Sequence, residues 1–162
     1  SGPAVVRPKR AFFLDCTLPL QNMDLSRAVE AVKKLRIGSA DDQKKAGKTI
    51  RDLALKGTDE DKVALCRTPG LVPALSEVLR TRTGDAQFYA VSAIAYLASV
   101  DANRVPLFEA PGLVTALVEV LQNGDAYAQQ YAADAIAELA SVDANQVPLF
   151  EAPGLLSGLV EV

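Results

Sequence analysis

The sequence has no histidine and no tryptophan, and only two of its 162 residues are cysteines. Without histidine, the chain lacks the most frequent general base, the Ser-His-Asp and Cys-His nucleophilic systems and the commonest zinc ligand. Cys16 and Cys66 are too far apart for a CxxC motif and too few for a disulfide framework, so we expect a reducing compartment. We predict a cytoplasmic protein, with the nucleus as the alternative.

Glycine-rich phosphate loops and long hydrophobic runs are also absent from the sequence. No stretch reads GxGxxG or GxxxxGK[ST], and no apolar run reaches the roughly 18 residues of a membrane span. The longest candidate, at 11–20, is interrupted by Asp15 and Pro19. We therefore predict no enzyme activity, with no catalytic residue, no cofactor, no metal site and no membrane span.

Charge is unevenly distributed along the chain, although the net charge is only −3. Residues 1–67 hold 14 Lys/Arg and 9 Asp/Glu, a net of +5, whereas residues 68–162 hold 3 and 11, a net of −8. An acidic pI near 5.0 disfavours nucleic acid as a partner, because that binding requires neutralised phosphates. The split either steers a charged partner or aligns molecules head to tail, or it is an uneven solvated surface.

A repeat of 42 residues is the dominant pattern in the sequence. PGLVPALSEVL at 69–79 returns as PGLVTALVEVL at 111–121 and as PGLLSGLVEV at 153–162, and SVDANRVPLFEAPG at 99–112 returns at 141–154 with one change. A diverged copy lies upstream of these segments. A fixed period of this length is typical of repeat architectures. We predict an all-α fold with units at about 24–57, 58–99, 100–141 and a partial 142–162, each ordered as short, medium and long helix.

Helix ends can be placed from capping residues. Ser39, Asp85 and Asp125 precede the long helices and are predicted to be their N-caps, as Asn103 and Asn145 are for the short helices. Each Pro-Gly pair predicts a bend between a short and a medium helix, because a residue before proline avoids the α region. Residues 1–23, which begin with what resembles the remnant of a cleaved tag, are expected to be irregular or to cap the first repeat.

Apolar residues follow helical spacing within each unit and predict how the units pack. In the second unit the stripes are Leu71, Val72, Leu75, Val78 and Leu79 in the medium helix, and Ala90, Ala93, Ile94, Leu97 and Ala98 in the long helix. The alanines allow neighbouring helices to approach closely. Since one unit cannot bury both of its faces, we expect the units to stack into an α-solenoid.

These motifs resemble those of the armadillo repeat family. GLVPAL at 70–75 matches the family's medium helix, AVSAIAYLA at 90–98 matches its long helix, and the resemblance extends over about 24–162. It implies a right-handed superhelix of about three and a half three-helix repeats. HEAT repeats are the alternative, but they lack the short first helix and the Pro-Gly bend.

The resemblance also implies a function. Armadillo proteins are non-catalytic scaffolds that bind an extended peptide or a protein in a groove lined by the long helices. The family's peptide-binding asparagines fall on Asp52, Tyr96 and Glu138 of this sequence, and its tryptophans fall on Lys48, Ser92 and Asp134, so none of the six is retained. The acidic positions with Tyr96 suit a basic peptide. The candidate groove residues are Lys48, Asp52, Phe88, Ser92, Tyr96, Gln130, Asp134 and Glu138.

The partial last unit predicts an apolar end. Residues 142–162 contain a short and a medium helix with no long helix after them, so we expect an open Leu/Val face. Homo-oligomer formation is predicted through residues 144–162, and a strict monomer with Leu155 and Val160 exposed would contradict it. The residues of this face are Leu149, Leu155, Leu156, Leu159 and Val160. The alternatives to a peptide-binding scaffold are therefore a self-assembly module and a fragment of a larger multidomain regulatory protein, such as a ubiquitin ligase or chaperone.

Overall fold

The computed structural model describes residues 25–161, and all the secondary structure in this part of the chain is α-helical. The all-α prediction is confirmed, whereas the predictions for residues 1–23 lie outside the described residues. The helices are α1 (Leu25–Ile37), α2 (Ala40–Lys56), α3 (Asp59–Cys66), α4 (Leu71–Thr81), α5 (Gly84–Ala98), α6 (Asp101–Glu109), α7 (Leu113–Asn123), α8 (Ala126–Ala140), α9 (Asp143–Phe150) and α10 (Leu155–Glu161).

Helices from equivalent positions of successive repeat units pack against one another and form rows. The long helix α2 packs on α5, and α5 packs on α8. The medium helices follow the same order, with α1 on α4, α4 on α7 and α7 on α10, while the short helix α3 contacts α6. The long helices α5 and α8 are therefore neighbours in space, and each medium helix also packs against the long helix that follows it where the structure describes both.

The bends between short and medium helices depend on glycine. Gly70, Gly112 and Gly154 have φ angles of +78°, +79° and +80°, in the left-handed region where side chains are disfavoured. Each glycine stands immediately before a medium helix, and α6 and α7 meet at 91°. The bends predicted from the Pro-Gly pairs are confirmed.

That bent pair is also the part of residues 25–161 that comes nearest to a membrane span. Within residues 25–161, no single helix combines the length and the hydropathy of a membrane span. Helices α6 and α7 reach both only when they are taken together across their 91° bend.

Small side chains bring the long helices close together. Ala90, Ala93, Ala132 and Ala135 are completely buried. At Gly47 of α2, an added Cβ would lie 3.3 Å from the Cβ of Tyr89 in α5. Because no bulky side chain separates these backbones, the long helices can form a continuous layer.

Two of the three predicted N-caps of the long helices are confirmed. The Ser39 hydroxyl accepts a hydrogen bond from the backbone of Asp42 at 3.2 Å, and the Asp125 carboxylate accepts one from Ala128 at 2.9 Å. The prediction for Asp85 is wrong, because α5 begins one residue earlier, at Gly84. The Asp85 carboxylate instead pairs with Lys44 of α2 at 2.8 Å, and their hydrogen bond raises the pKa of Lys44.

The predicted N-caps Asn103 and Asn145 are also wrong. Both are third residues of their short helices and are buried, at 2% and 3% exposure. Their side-chain amides donate at 3.0 Å to the carbonyls of Leu97 and Leu139 near the ends of the preceding long helices. These asparagines therefore fix the angle between a long helix and the next short helix.

Three glutamines form an equivalent joint between medium and long helices. The Nε2 atoms of Gln43, Gln87 and Gln129 donate to the carbonyl eight residues earlier, at 2.8, 3.1 and 3.0 Å. The acceptors lie near the ends of α1, α4 and α7. Side-chain bonds to otherwise unpaired terminal carbonyls hold the row of long helices at one register against the row of medium helices.

Candidate functional site: the exposed surface of the long helices

Helix α8 has three distinct sides, because successive residues turn by about 100°. One side is fully buried and consists of Ala128, Ala132, Ala135 and Leu139. A second side contains Ala133, Ile136, Ala137 and Ala140. The third side carries Tyr127, Gln130, Tyr131, Asp134 and Glu138, none of which is fully buried. We call this third side, the matching side of α5 and residues Lys48, Arg51 and Asp52 of α2 the long-helix surface.

Five aromatic rings meet on the long-helix surface, and we call them the aromatic cluster: Phe88, Tyr89 and Tyr96 from α5, and Tyr127 and Tyr131 from α8. The Phe88 ring lies 5.6 Å from Tyr131 and 6.5 Å from Tyr127, both edge to face. Tyr131 also contacts Tyr96 at 5.8 Å. These are favourable geometries for aromatic pairs. The cluster spans the seam between two repeat units and leaves Tyr127 71% exposed.

The two hydroxyl groups at the inner edge of the cluster are hydrogen-bonded to each other. The Tyr96 and Tyr131 oxygens are 3.0 Å apart, so one hydroxyl donates to the other. This bond, together with partial burial, raises the pKa of Tyr96 above its ordinary value. The hydrogen bond between the two hydroxyl groups fixes the orientation of one ring relative to the other.

A basic group joins α2 to the cluster. The Arg51 guanidinium lies over the Tyr89 ring, 4.9 Å from its centroid, and its Nε donates to Asp52 at 2.7 Å. The Lys48 ammonium pairs with the same carboxylate at 3.3 Å. Burial opposes ionisation of Asp52, but these hydrogen bonds outweigh it and leave the pKa of Asp52 below its ordinary value. This end of the long-helix surface has two cations and one anion. It is therefore not acidic, although the sequence analysis counted Asp52 among the acidic positions.

Glu138 is engaged within the fold. Its carboxylate accepts a hydrogen bond from Arg104 of α6 at 2.6 Å, and Arg104 also donates to the carbonyl of Ala98 at 3.0 Å. The Arg104 side chain is only 16% exposed. Of the three acidic positions that the sequence suggested for a basic peptide, Asp52 and Glu138 are therefore already paired within the fold.

Asp134 and Gln130 are the predicted groove residues with the greatest freedom to bind. Both are exposed on α8, one helical turn apart and beside Tyr127 and Tyr131. Asp134 makes no hydrogen bond or ion pair with any residue between 25 and 161. One unpaired carboxylate therefore lies next to the aromatic cluster.

The prediction that Ser92 lines the groove is also wrong. Its side chain is completely buried, and its hydroxyl donates to the carbonyl of Tyr89 at 3.1 Å. The resemblance placed Ser92 on the groove by position alone. The bulky rings on either side of it, Phe88 and Tyr96, occupy the surface instead, both half-buried.

The predicted C-terminal face is only partly exposed. Leu149 and Leu155 belong to the core, at 2% and 4% exposure, so the prediction that these two residues lie on an open face is wrong. It is the first residue of α10, which packs against α7 and α9. Leu156, Leu159 and Val160 are 54%, 43% and 87% exposed.

Sequence reasoning missed four residues of the long-helix surface: Arg51, Tyr89, Tyr127 and Tyr131. A signal for Tyr89 and Tyr131 was present, because they occupy the same position of successive repeats. The cation over Tyr89 had no comparable signal, since it depends on which helix packs beside α5. Comparison with protein-family models, with curated proteins and with solved structures gives no match.

Proposed function

We propose that the protein is a non-catalytic scaffold that binds an extended peptide, or an exposed segment of a protein, on the long-helix surface. The observation that carries this proposal is the aromatic cluster, which is shared by two neighbouring long helices and partly open to solvent. Tyrosine and arginine are the residue types that contribute most to protein interfaces. A cluster that only filled the core would leave no ring as exposed as Tyr127.

The proposed overall form is an armadillo-like, right-handed superhelix. The rows of long, medium and short helices support it, as do the glycine bends that recur every 42 residues. In this arrangement the long helices line one continuous wall. A ligand would cross them rather than follow a single helix.

The proposed ligand has an apolar or aromatic residue close to a basic one. Tyr127 and Phe88 offer an apolar, partly desolvated contact, and Asp134 offers an unpaired carboxylate one turn from Tyr131. An Arg or Lys side chain could meet both the carboxylate and a tyrosine face. The Lys48 and Arg51 end would favour an acidic or carbonyl group of the same ligand.

This function can be tested by selecting ligands for the whole chain from a random peptide library. The peptides obtained should be enriched in Arg or Lys beside an apolar residue. We expect Tyr127→Ser and Asp134→Lys each to weaken binding by about tenfold, or about 1.4 kcal/mol, in fluorescence anisotropy titrations. Both side chains are exposed, so neither change should affect folding.

Glu119→Lys is the matched control, because it makes the same charge reversal at an exposed site on the medium helix α7. It should leave peptide affinity unchanged. Equal binding by wild type and by the Tyr127→Ser, Asp134→Lys double variant would contradict the proposal. A loss of affinity in Glu119→Lys alone would place the binding surface on the medium helices.

A further inference from the structure

Opposite charges lie at the two ends of the long-helix surface. At one end, Lys48 of α2 is an exposed cation, with 54% of its side chain accessible. At the other end, Asp134 of α8 is exposed and has no ion-pair or hydrogen-bond partner among residues 25–161. Helix α5 between them has one charged residue, Asp85, which pairs with Lys44 at 2.8 Å. A ligand that crosses the three long helices therefore passes from a cation, over aromatic rings, to an anion.

The glutamine joints place these two charges at the same level of the row of long helices. The three glutamines that bond to the ends of the preceding medium helices mark equivalent positions of α2, α5 and α8. Five residues after those glutamines stand Lys48, Ser92 and Asp134, respectively. Because Ser92 is completely buried, the α5 residue at this level does not project between the two charges.

The Lys48 ammonium can change partners without leaving a carboxylate unpaired. It lies 3.3 Å from Asp52, whereas Arg51 holds the same carboxylate at 2.7 Å. Arg51 is only 18% exposed and lies over the Tyr89 ring, so its position is fixed by packing. An exposed ion pair such as that of Lys48 with Asp52 contributes little to stability, because water screens it. A ligand carboxylate can therefore take the ammonium at little cost to the fold.

The distance between the two charges sets a length on the ligand. Packed helices lie about 8–10 Å apart, so Lys48 and Asp134, which are two helices apart, are separated by roughly 16–20 Å. An extended chain rises about 3.3 Å per residue, and its alternate side chains point to the same face. Two side chains that both face the helices are therefore an even number of residues apart. About six residues cover the full distance, and about four suffice when the long side chains of Lys48 and of a ligand arginine bridge the rest.

We propose that the long-helix surface selects segments with one acidic and one basic residue at an even separation of about four to six positions. The acidic residue binds Lys48 and the basic residue binds Asp134. This inference rests on the proposed peptide-binding function and adds a charge register to it. Lys48 and Asp134 are then specificity-determining residues, while the aromatic cluster contacts the apolar residue of the ligand.

Segments with charges of one sign do not fit both ends of the surface. A run of basic residues would bring cations against Lys48 and Arg51, and a run of acidic residues would bring anions against Asp134 and Glu138. Like charges in contact reject a ligand more effectively than one missing ion pair does. The surface therefore discriminates against purely basic and purely acidic segments alike.

Four peptide libraries test the charge register. Each library fixes one Glu and one Arg at a separation of two, four, six or ten residues, and the other positions are randomised among uncharged residues. The whole chain should enrich binders from the libraries with separations of four or six over the other two. The tightest peptide is then titrated by fluorescence anisotropy. We expect Lys48→Ala to weaken its binding about threefold, the size of an exposed ion pair, and to leave the same peptide with Gln in place of Glu unaffected.

Asp134→Asn should likewise weaken binding about threefold, and only for peptides that keep the Arg. Lys33→Ala is the matched control, because Lys33 is an exposed lysine on the medium helix α1 with an acidic neighbour, Glu30, at 3.8 Å. It should leave peptide affinity unchanged.

The outcomes separate this inference from the function on which it rests. Equal enrichment from all four libraries, or an equal effect of Lys48→Ala on the Glu and the Gln peptide, would overturn the charge register. If Tyr127→Ser still weakened binding of those peptides, the proposed function would stand without the register. Peptides whose binding responds to none of Tyr127→Ser, Lys48→Ala and Asp134→Asn would contradict both.

Discussion

Replacing Leu117 with alanine is expected to lower the free energy of unfolding by about 2–5 kcal/mol. Leu117 lies in the medium helix α7 and is completely buried in the core. Its loss removes apolar contacts and leaves a cavity that close-packed alanine-rich helices cannot fill. Chemical denaturation followed by far-ultraviolet circular dichroism measures the change.

Leu159→Ala is the matched control for this substitution, because Leu159 is the same residue at the same repeat position. It is 43% exposed beside the apolar cavity between α8, α9 and α10, so its truncation should cost only about 1 kcal/mol or less. A similar loss of stability in both variants would mean that the two faces are equally covered. In that case the difference between the inner and the end repeat units would not exist in solution.

A leucine in place of Gly47 should destabilise the protein by about 3 kcal/mol, at the upper end of the usual range for overpacking. A Cβ at this position already lies 3.3 Å from the Cβ of Tyr89 and 3.7 Å from the backbone nitrogen of Ala90. The rest of a leucine side chain would therefore overlap α5 and force the first two long helices apart. Thermal and denaturant unfolding should both record the loss.

Gly47→Ala separates the effect of packing from that of helix propensity. Alanine is favoured over glycine in a helix by about 1 kcal/mol, which should roughly offset the tight contact with Tyr89. We therefore expect a change within about 1 kcal/mol for alanine. Stability in Gly47→Leu equal to that of wild type would contradict the close packing of α2 on α5.

The helices and the bends between them could be predicted from local sequence patterns, because the same patterns recur in successive repeat units. Asp125 precedes a helix and caps it, and each Pro-Gly pair bends the chain where the glycine has a positive φ. The N-cap predictions for Asp85 and Asn103 are wrong for a common reason. Both are good capping residues by type, but both lie inside their helices, and their side chains bond to Lys44 and to the Leu97 carbonyl instead.

The candidate site was less predictable, since its chemistry depends on partners distant in sequence. The sequence suggested that Asp52 and Glu138 would offer acidic contacts to a basic peptide, yet each carboxylate is paired in the folded chain. Glu138 binds Arg104, 34 positions earlier, and only the packing of α6 on α8 brings them together. Ser92 is buried because the larger rings beside it fill the surface. Of the three acidic positions Asp52, Asp134 and Glu138, only Asp134 has no ion-pair or hydrogen-bond partner among residues 25–161.

The central claim is that ligands bind across the long helices at the aromatic cluster. Photo-crosslinking measures this most directly: a library-selected peptide with a diazirine group is irradiated with the full chain, and the labelled residues are read by tandem mass spectrometry. We expect labels on Tyr127, Gln130 and Asp134 of α8 and on Lys48 of α2. Labels concentrated on the medium helices, or on Phe150 at the end of α9, would contradict the claim.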